Sequence, residues 1–162
     1  MRSDMDNSRH RFVADVMLGK LARWLRLLGC DVLYDNSGED SSLLATALSE
    51  NRILITHDTE LARRAKSNGY LVETEGTENQ LREIIRWFDI EPVLYGDRCP
   101  ECNGTISEVP RESIEGEVPE YTYRTHNTFR RCENCGRIFW VGSHRELAQE
   151  DLKRILSNPV ED

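Results

Sequence analysis

The chain has 162 residues, 38% of them hydrophobic and 31% charged, with a formal net charge of −8. That length holds one ordinary domain plus a small module too short to build its own core, and no apolar run is long enough to cross a bilayer. The acidic balance excludes a protein that holds nucleic acid mainly through bulk electrostatics, so local charge placement must decide.

The start, MRSDMDNSRH, lacks the apolar stretch of a secretory signal and reads as a flexible tail over 1–10. From Arg11, short β-like runs alternate with helical patterns, the signature of a parallel α/β sheet. RFVA leads into Asp15. In VMLGKLARWLRLLG, Met17, Leu18, Leu21, Trp24, Leu25 and Leu28 recur at helical spacing, while Lys20, Arg23 and Arg26 are set three apart on the opposite side. Gly29 ends that helix. DVLY then leads into Asp35, and Asp40 or Ser41 caps a second helix running to Asn51. RILIT leads into His57 and Asp58, which opens a third helix through Lys66. YLVE, from Tyr70, is a weaker fourth strand. A fourth helix runs from about Thr77 to Trp87, with Leu81, Ile84, Ile85 and Phe88 facing the core.

Near Pro92 this pattern stops, which bounds an α/β domain at 11–95. Residues 96–144 are turn-rich and punctuated by cysteines, with a polar connector through Ile114 to Tyr121 read as a loop or protruding hairpin. Residues 145–162 hold a closing amphipathic helix, HRELAQEDLKRILS, and a tail.

Cys99-Pro-Glu-Cys102 and Cys132-Glu-Asn-Cys135 are two knuckles, each able to aim two thiolates at one ion, with Gly104 and Gly136 permitting the tight turns. Their spacing points to structural zinc in a reducing cytoplasm, because a disulfide framework would leave Cys30 over. His126 and His144 are the other nearby ligand types, but four thiolates already complete a tetrahedron and leave no open position for catalysis.

Parallel sheets bind ligands beyond the carboxyl ends of their strands. Asp15, Asp35 and Asp58 all follow strand candidates, and Glu39 and Asp40 open the next helix. Clustered carboxylates repel unless a cation neutralises them, which points to Mg²⁺ or Mn²⁺ and to metal-assisted phosphodiester hydrolysis. Aspartates in these places also cap helices, and the sequence leaves both readings open. Lys20, Arg23 and Arg26 either grip phosphates or form a solvated stripe. His57 either assists proton transfer or is structural. Phe139 and Trp140 either pack on the first domain or stack a base.

The segments FVADVMLGKLARWLRLLGCDVLYD, EDSSLL, RILITHDTELARRA, RCPECNG and CENCGRIFWVGSH resemble, in this order, the Mut-seven C-terminal ribonuclease domain family. The resemblance implies a PIN-like three-layer α/β domain with a parallel sheet, followed by a C-terminal zinc ribbon. It also implies a metal-dependent ribonuclease with its acidic positions at Asp15, Asp40 and Asp58 and RNA as partner. Asp35 matches the family less firmly, and His57 departs from it, standing where the family usually carries arginine. A competing expectation is a non-catalytic RNA-binding or ribosome-associated adaptor that uses the ribbon.

Overall fold

The computed structural model describes residues 7–94 and 97–158, without the side chains of 143–145, so His144 lies outside the described side chains. The apolar runs form four strands, β1 (Arg11–Ala14), β2 (Asp31–Tyr34), β3 (Ile53–Thr56) and β4 (Gly69–Leu71). They make one parallel sheet in the order β2-β1-β3-β4. Register pairs Ala14 with both Tyr34 and Ile55, and Thr56 with Leu71, so the carboxyl ends of all four strands share one edge.

Side-chain alternation along the strands sorts the interior into two layers. Phe12 and Ala14 of β1 and Ile55 of β3 join Leu21, Leu25, Leu81 and Ile84 on one face. Val13 and Leu54 join Leu43, Ala47, Leu61 and Ala65 on the other. Helices α1 (Gly19–Leu27) and α4 (Thr77–Phe88) therefore cover the first face, and α2 (Asp40–Ser49) and α3 (Thr59–Arg64) the second. This is the three-layer α/β arrangement expected. Each large side chain taken fully out of water here contributes about 1.5–3 kcal/mol. The chain leaves β1 over one face toward β2 and leaves β3 over the other toward β4, so the connections diverge between β1 and β3 at the carboxyl edge, the place where open α/β sheets bind ligands.

The cysteine-bearing segment forms a second, antiparallel sheet in the order β5 (Ile106–Val109), β6 (Phe129–Cys132), β7 (Ile138–Trp140). The connector expected as a loop or protruding hairpin is instead a 3₁₀ turn over Arg111–Ile114 followed by α5 (Glu120–Thr125). Ile114 is fully buried, and the Arg111 guanidinium lies 3.8 Å from the Tyr123 ring centroid, which anchors the segment. A final helix, α6 (Ser143–Ser157), returns to the first layer through Leu152 and Ile155, and Arg82 donates to the Ile155 carbonyl at 2.7 Å. The tail expected over 1–10 is docked from Asn7 onward. That side chain is buried, donates to the Leu28 and Glu91 carbonyls, and accepts from the Glu91 N–H. Residues 1–6 lie outside the described residues.

Strand β2 is a sheet edge, and the first cysteine knuckle covers it. Asn103 Oδ1 accepts from the Val32 N–H at 2.9 Å, and Arg26 Nε donates to the Val32 carbonyl at 2.9 Å. Arg26 Nη1 also donates to the Pro100 carbonyl at 3.0 Å. Arg26 is only 6% exposed, which takes it out of the solvent-facing stripe expected from its spacing. The reason is helical drift, because a three-residue step falls about 60° short of a full turn, and two steps carry Arg26 about 120° from Lys20.

Behind the same edge, Arg52 is buried and grips Asp31 with both terminal nitrogens, at 2.8 and 3.3 Å, while Asn103 Nδ2 donates to Asp31 at 2.8 Å. Burial works to raise the Asp31 carboxyl, but the bonds from Arg52 and Asn103 outweigh it and hold the carboxyl below its ordinary range. A depressed folded pKa gives stability that is present above the unfolded value, near pH 4, and is lost as pH falls through the folded value. Asp31→Asn is expected to cost about 1–3 kcal/mol at pH 7. The gap from the parent should shrink below about pH 4 in denaturant unfolding with zinc held constant. A gap that stays constant down to pH 2 would contradict this account.

Candidate functional site

Alternation also decides which way the acidic residues face. Asp15 follows Ala14 and has the parity of Val13, and Thr56 has the parity of Leu54, so both belong to the side covered by α2 and α3. Asp15 is 7% exposed and Thr56 fully buried. Thr56 Oγ1 donates to Asp15 Oδ2 at 2.7 Å and accepts from the Asp58 N–H at 2.9 Å. One hydroxyl thus ties Asp15, at the end of β1, to Asp58, after β3, across the divergence of the connections. The Val16 N–H donates to Asp15 Oδ1 at 2.7 Å, and Asp58 Oδ1 accepts from the Leu61 N–H at 3.0 Å to cap α3. The capping role is present at both aspartates, and the link between them runs from the Asp15 carboxylate through Thr56 to the backbone of Asp58. Thr56 is a residue that the sequence reading missed; its one signal is a hydroxyl at the last position of a buried strand.

Asp40 is exposed in the first turn of α2, which packs on β1 and β3. Asp15, Asp40 and Asp58 are not gathered as tightly as the cysteines described below, whose donor atoms form the one such group among the described residues. Asp35 is engaged locally, accepting from the Ser37 N–H at 2.9 Å and the Ser37 hydroxyl at 2.8 Å, bonds that hold its carboxyl below the ordinary range. His57 Nδ1 donates to the Val72 carbonyl at 2.9 Å, and Gln80 Nε2 donates to His57 Nε2 at 2.9 Å. Both ring nitrogens are occupied, so His57 is a structural joint between β3, α4 and the segment after β4. Glu60 pairs with Arg63, and Glu78 with Arg154 at 2.8 Å.

Helix α1 starts at the acidic edge and runs away from it. Lys20, exposed in its first turn, stays near that edge. Arg23 pairs with Glu101 of the first knuckle, and Arg26 is consumed by the carbonyls already described. Cys30 is fully buried, and burial pushes its thiol up to about 12, consistent with a small apolar role.

The sulfurs of Cys99, Cys102, Cys132 and Cys135 lie within 4.8 Å of one another, with Cys99–Cys135 at 3.8 Å and Cys102–Cys132 at 3.4 Å. A tetrahedral zinc ion with bonds of about 2.3 Å requires sulfur separations of about 3.8 Å, so this donor set fits structural zinc. The Gly104 N–H donates to Cys102 Sγ at 3.3 Å, and the Cys135 N–H to Cys132 Sγ at 3.5 Å. Burial pushes Cys99 up to about 12. At Cys102 burial acts in the same direction but is outweighed by hydrogen bonds from Asn134 and Gly104, which bring it to about 6. A bound divalent ion would hold all four as thiolates.

A family model described as the Mut7-C RNAse domain matches residues 10–152 of the chain. No curated protein and no solved structure is similar enough to match it.

A Cβ at Gly104 would stand 2.8 Å from Cys132 Sγ and 2.7 Å from Asn134 Cβ, inside the space of the sulfur tetrahedron. Elemental analysis is expected to find about one zinc per chain in the parent. In Gly104→Val the zinc content and the melting temperature should both drop, and a variant that keeps both would refute the close-packed knuckle.

Proposed function

Because the chain belongs to the Mut7-C RNAse domain family, whose model points to a nuclease acting on RNA, we propose that it hydrolyses RNA phosphodiester bonds at the carboxyl edge of its parallel sheet. Asp15, Asp40 and Asp58 are the proposed ligands for Mg²⁺ or Mn²⁺. The observation that carries this reading is the Asp15–Thr56–Asp58 bridge at the point where the connections from β1 and β3 diverge.

The donor set suits a hard cation, since it consists of carboxylate oxygens with neither thiolate nor a vacant imidazole beside them. When bound, such an ion polarises a phosphoryl oxygen and lowers the pKa of its water. Asp15 is the fixed member, oriented by Thr56 and the Val16 N–H. Asp58, which caps α3, and Asp40 are both exposed, and a shared cation would remove the repulsion that opposes their approach to Asp15. Lys20, at the start of α1, is proposed to contact a substrate phosphate, and Arg23 a phosphate farther along. Arg26, with its guanidinium committed to protein carbonyls, acts on substrate only by holding the ribbon in place. No helix among the described residues is long and apolar enough to cross a membrane, and the thiol-rich ribbon suits the reducing cytoplasm.

The test is cleavage of a labelled oligoribonucleotide in metal-depleted buffer at constant zinc, with Mg²⁺ or Mn²⁺ added back. Asp15→Asn, Asp40→Asn and Asp58→Asn should each lose more activity than the roughly 10–100-fold that follows from losing an outer partner of a metal ligand. Thr56→Val should fall within that 10–100-fold range, and Thr56→Ser should recover most of it. Cleavage independent of added divalent ion, or full activity in the Asp15→Asn, Asp58→Asn double variant, would sink the mechanism. RNA binding without turnover under every metal condition would assign the non-catalytic zinc-ribbon adaptor instead.

A further inference from the structure

We infer that the cleft between α1, α6 and the ribbon binds an unpaired nucleotide of single-stranded RNA, an inference that rests on the ribonuclease reading above. The cleft encloses about 310 Å³, and its wall carries Arg23, Arg98 and Arg130 together with Phe139 and Trp140. That volume lies at the small end of the range for small-molecule sites, roughly 300–1,000 Å³, which suits one base and its sugar. Aromatic rings offer a stacking surface to any base, and guanidinium groups meet the phosphates beside it.

Charge complementarity selects this occupant. Acidic residues outnumber basic ones 29 to 21 in the chain, yet the described lining of this cleft contains three arginines and no carboxylate. Arg98 and Arg130 are each anchored through a terminal nitrogen to a ribbon carbonyl, those of Asn103 and Ile106, and Arg23 is paired with Glu101 from the neighbouring wall. A neighbouring cleft of about 500 Å³ shares Arg23, Pro100, Phe139 and Trp140 with it, so the two continue into each other past β7, the outer strand of the ribbon sheet. Of the acidic groups in that second wall, Glu117 is tied to Arg131, and Glu101 is tied to Arg23 itself, so a phosphate at Arg23 must compete with Glu101. The platform is also rigid, because Phe139 packs against Cys99, Ile106 and Cys132.

Direction comes from α1. The chain passes from Asp15 through one 3₁₀ turn into the helix, and Arg23 stands on the order of 12 Å along it. A strand whose scissile phosphate lies at the acidic edge therefore follows α1 toward Arg23 and meets the arginine-lined cleft with nucleotides on one side of the cut. Duplex RNA keeps its bases stacked and paired, and so cannot enter.

The full-length, zinc-loaded protein is titrated into a fluorescein-labelled single-stranded oligoribonucleotide of mixed sequence, without Mg²⁺ or Mn²⁺, and anisotropy gives Kd. Trp140→Ala and Arg23→Gln should each weaken binding about tenfold, with Trp140→Phe close to the parent, and a duplex of the same sequence should bind more weakly than the single strand. With divalent ion present, Trp140→Ala should raise KM by a larger factor than it lowers kcat. Unchanged zinc content and melting temperature show that each variant is folded, and Arg23→Gln decides the matter if Trp140→Ala is not. If the parent binds and cleaves RNA while Arg23→Gln, together with Trp140→Ala where it folds, keeps its Kd and KM, the cleft is not the binding site and the ribonuclease reading stands. If the parent neither binds nor cleaves RNA, both readings fall together.

Discussion

A buried guanidinium makes one unit of the two sheets. Arg26 leaves the helix against the sheet and gives its N–H groups to the carbonyls of Val32 and Pro100, joining a strand edge to the first cysteine knuckle. Burial lowers the pKa of that side chain, and the charges of Cys102, Cys99 and Asp31 oppose the shift. Arginine stays protonated in proteins, so the charge must be met where it lies. A zinc ion held by four thiolates would carry a formal charge of about −2, which the charge of Arg26, close to Cys99 and Cys102, would offset in part. Removing such a group leaves carbonyls and a negative centre without their partner, the situation in which buried polar groups cost most.

The same contact manages an edge strand. An open β2 would expose a row of N–H and C=O groups to other chains, and Asn103 and Arg26 close it at Val32. Arg52 and Asn103 then share Asp31, so the knuckle, the sheet edge and the start of β3 are held by one small polar network. The mutual position of the acidic edge and the arginine-lined cleft follows from this joint, because α1 borders both.

At the acidic edge the organising element is a hydroxyl. Thr56 is buried with two partners, one on each side of the point where the connections diverge, and it fixes Asp15 against the backbone of Asp58. Asp15 is thereby presented without needing a second carboxylate in contact, which avoids the repulsion that close acidic pairs suffer. His57, beside it in the chain, turns away to bond Val72 and Gln80 and locks the segment after β4.

Much of this architecture was legible in the residues. Strand and helix order, the carboxyl-edge placement of Asp15 and Asp58 and the zinc-type spacing of the cysteines depend on local period and short-range geometry, which a sequence displays directly. The connector after Val109 was misread because its polar composition hid the apolar anchor at Ile114. Arg26 was misread because three-residue spacing drifts around a helix. Tertiary structure alone decided that Thr56 meets Asp15 across 41 positions, that Arg26 meets Pro100 across 74, and that three arginines line one cleft in an acidic protein. Those meetings depend on which distant segments pack together, and packing is a property of the whole chain rather than of any stretch of it.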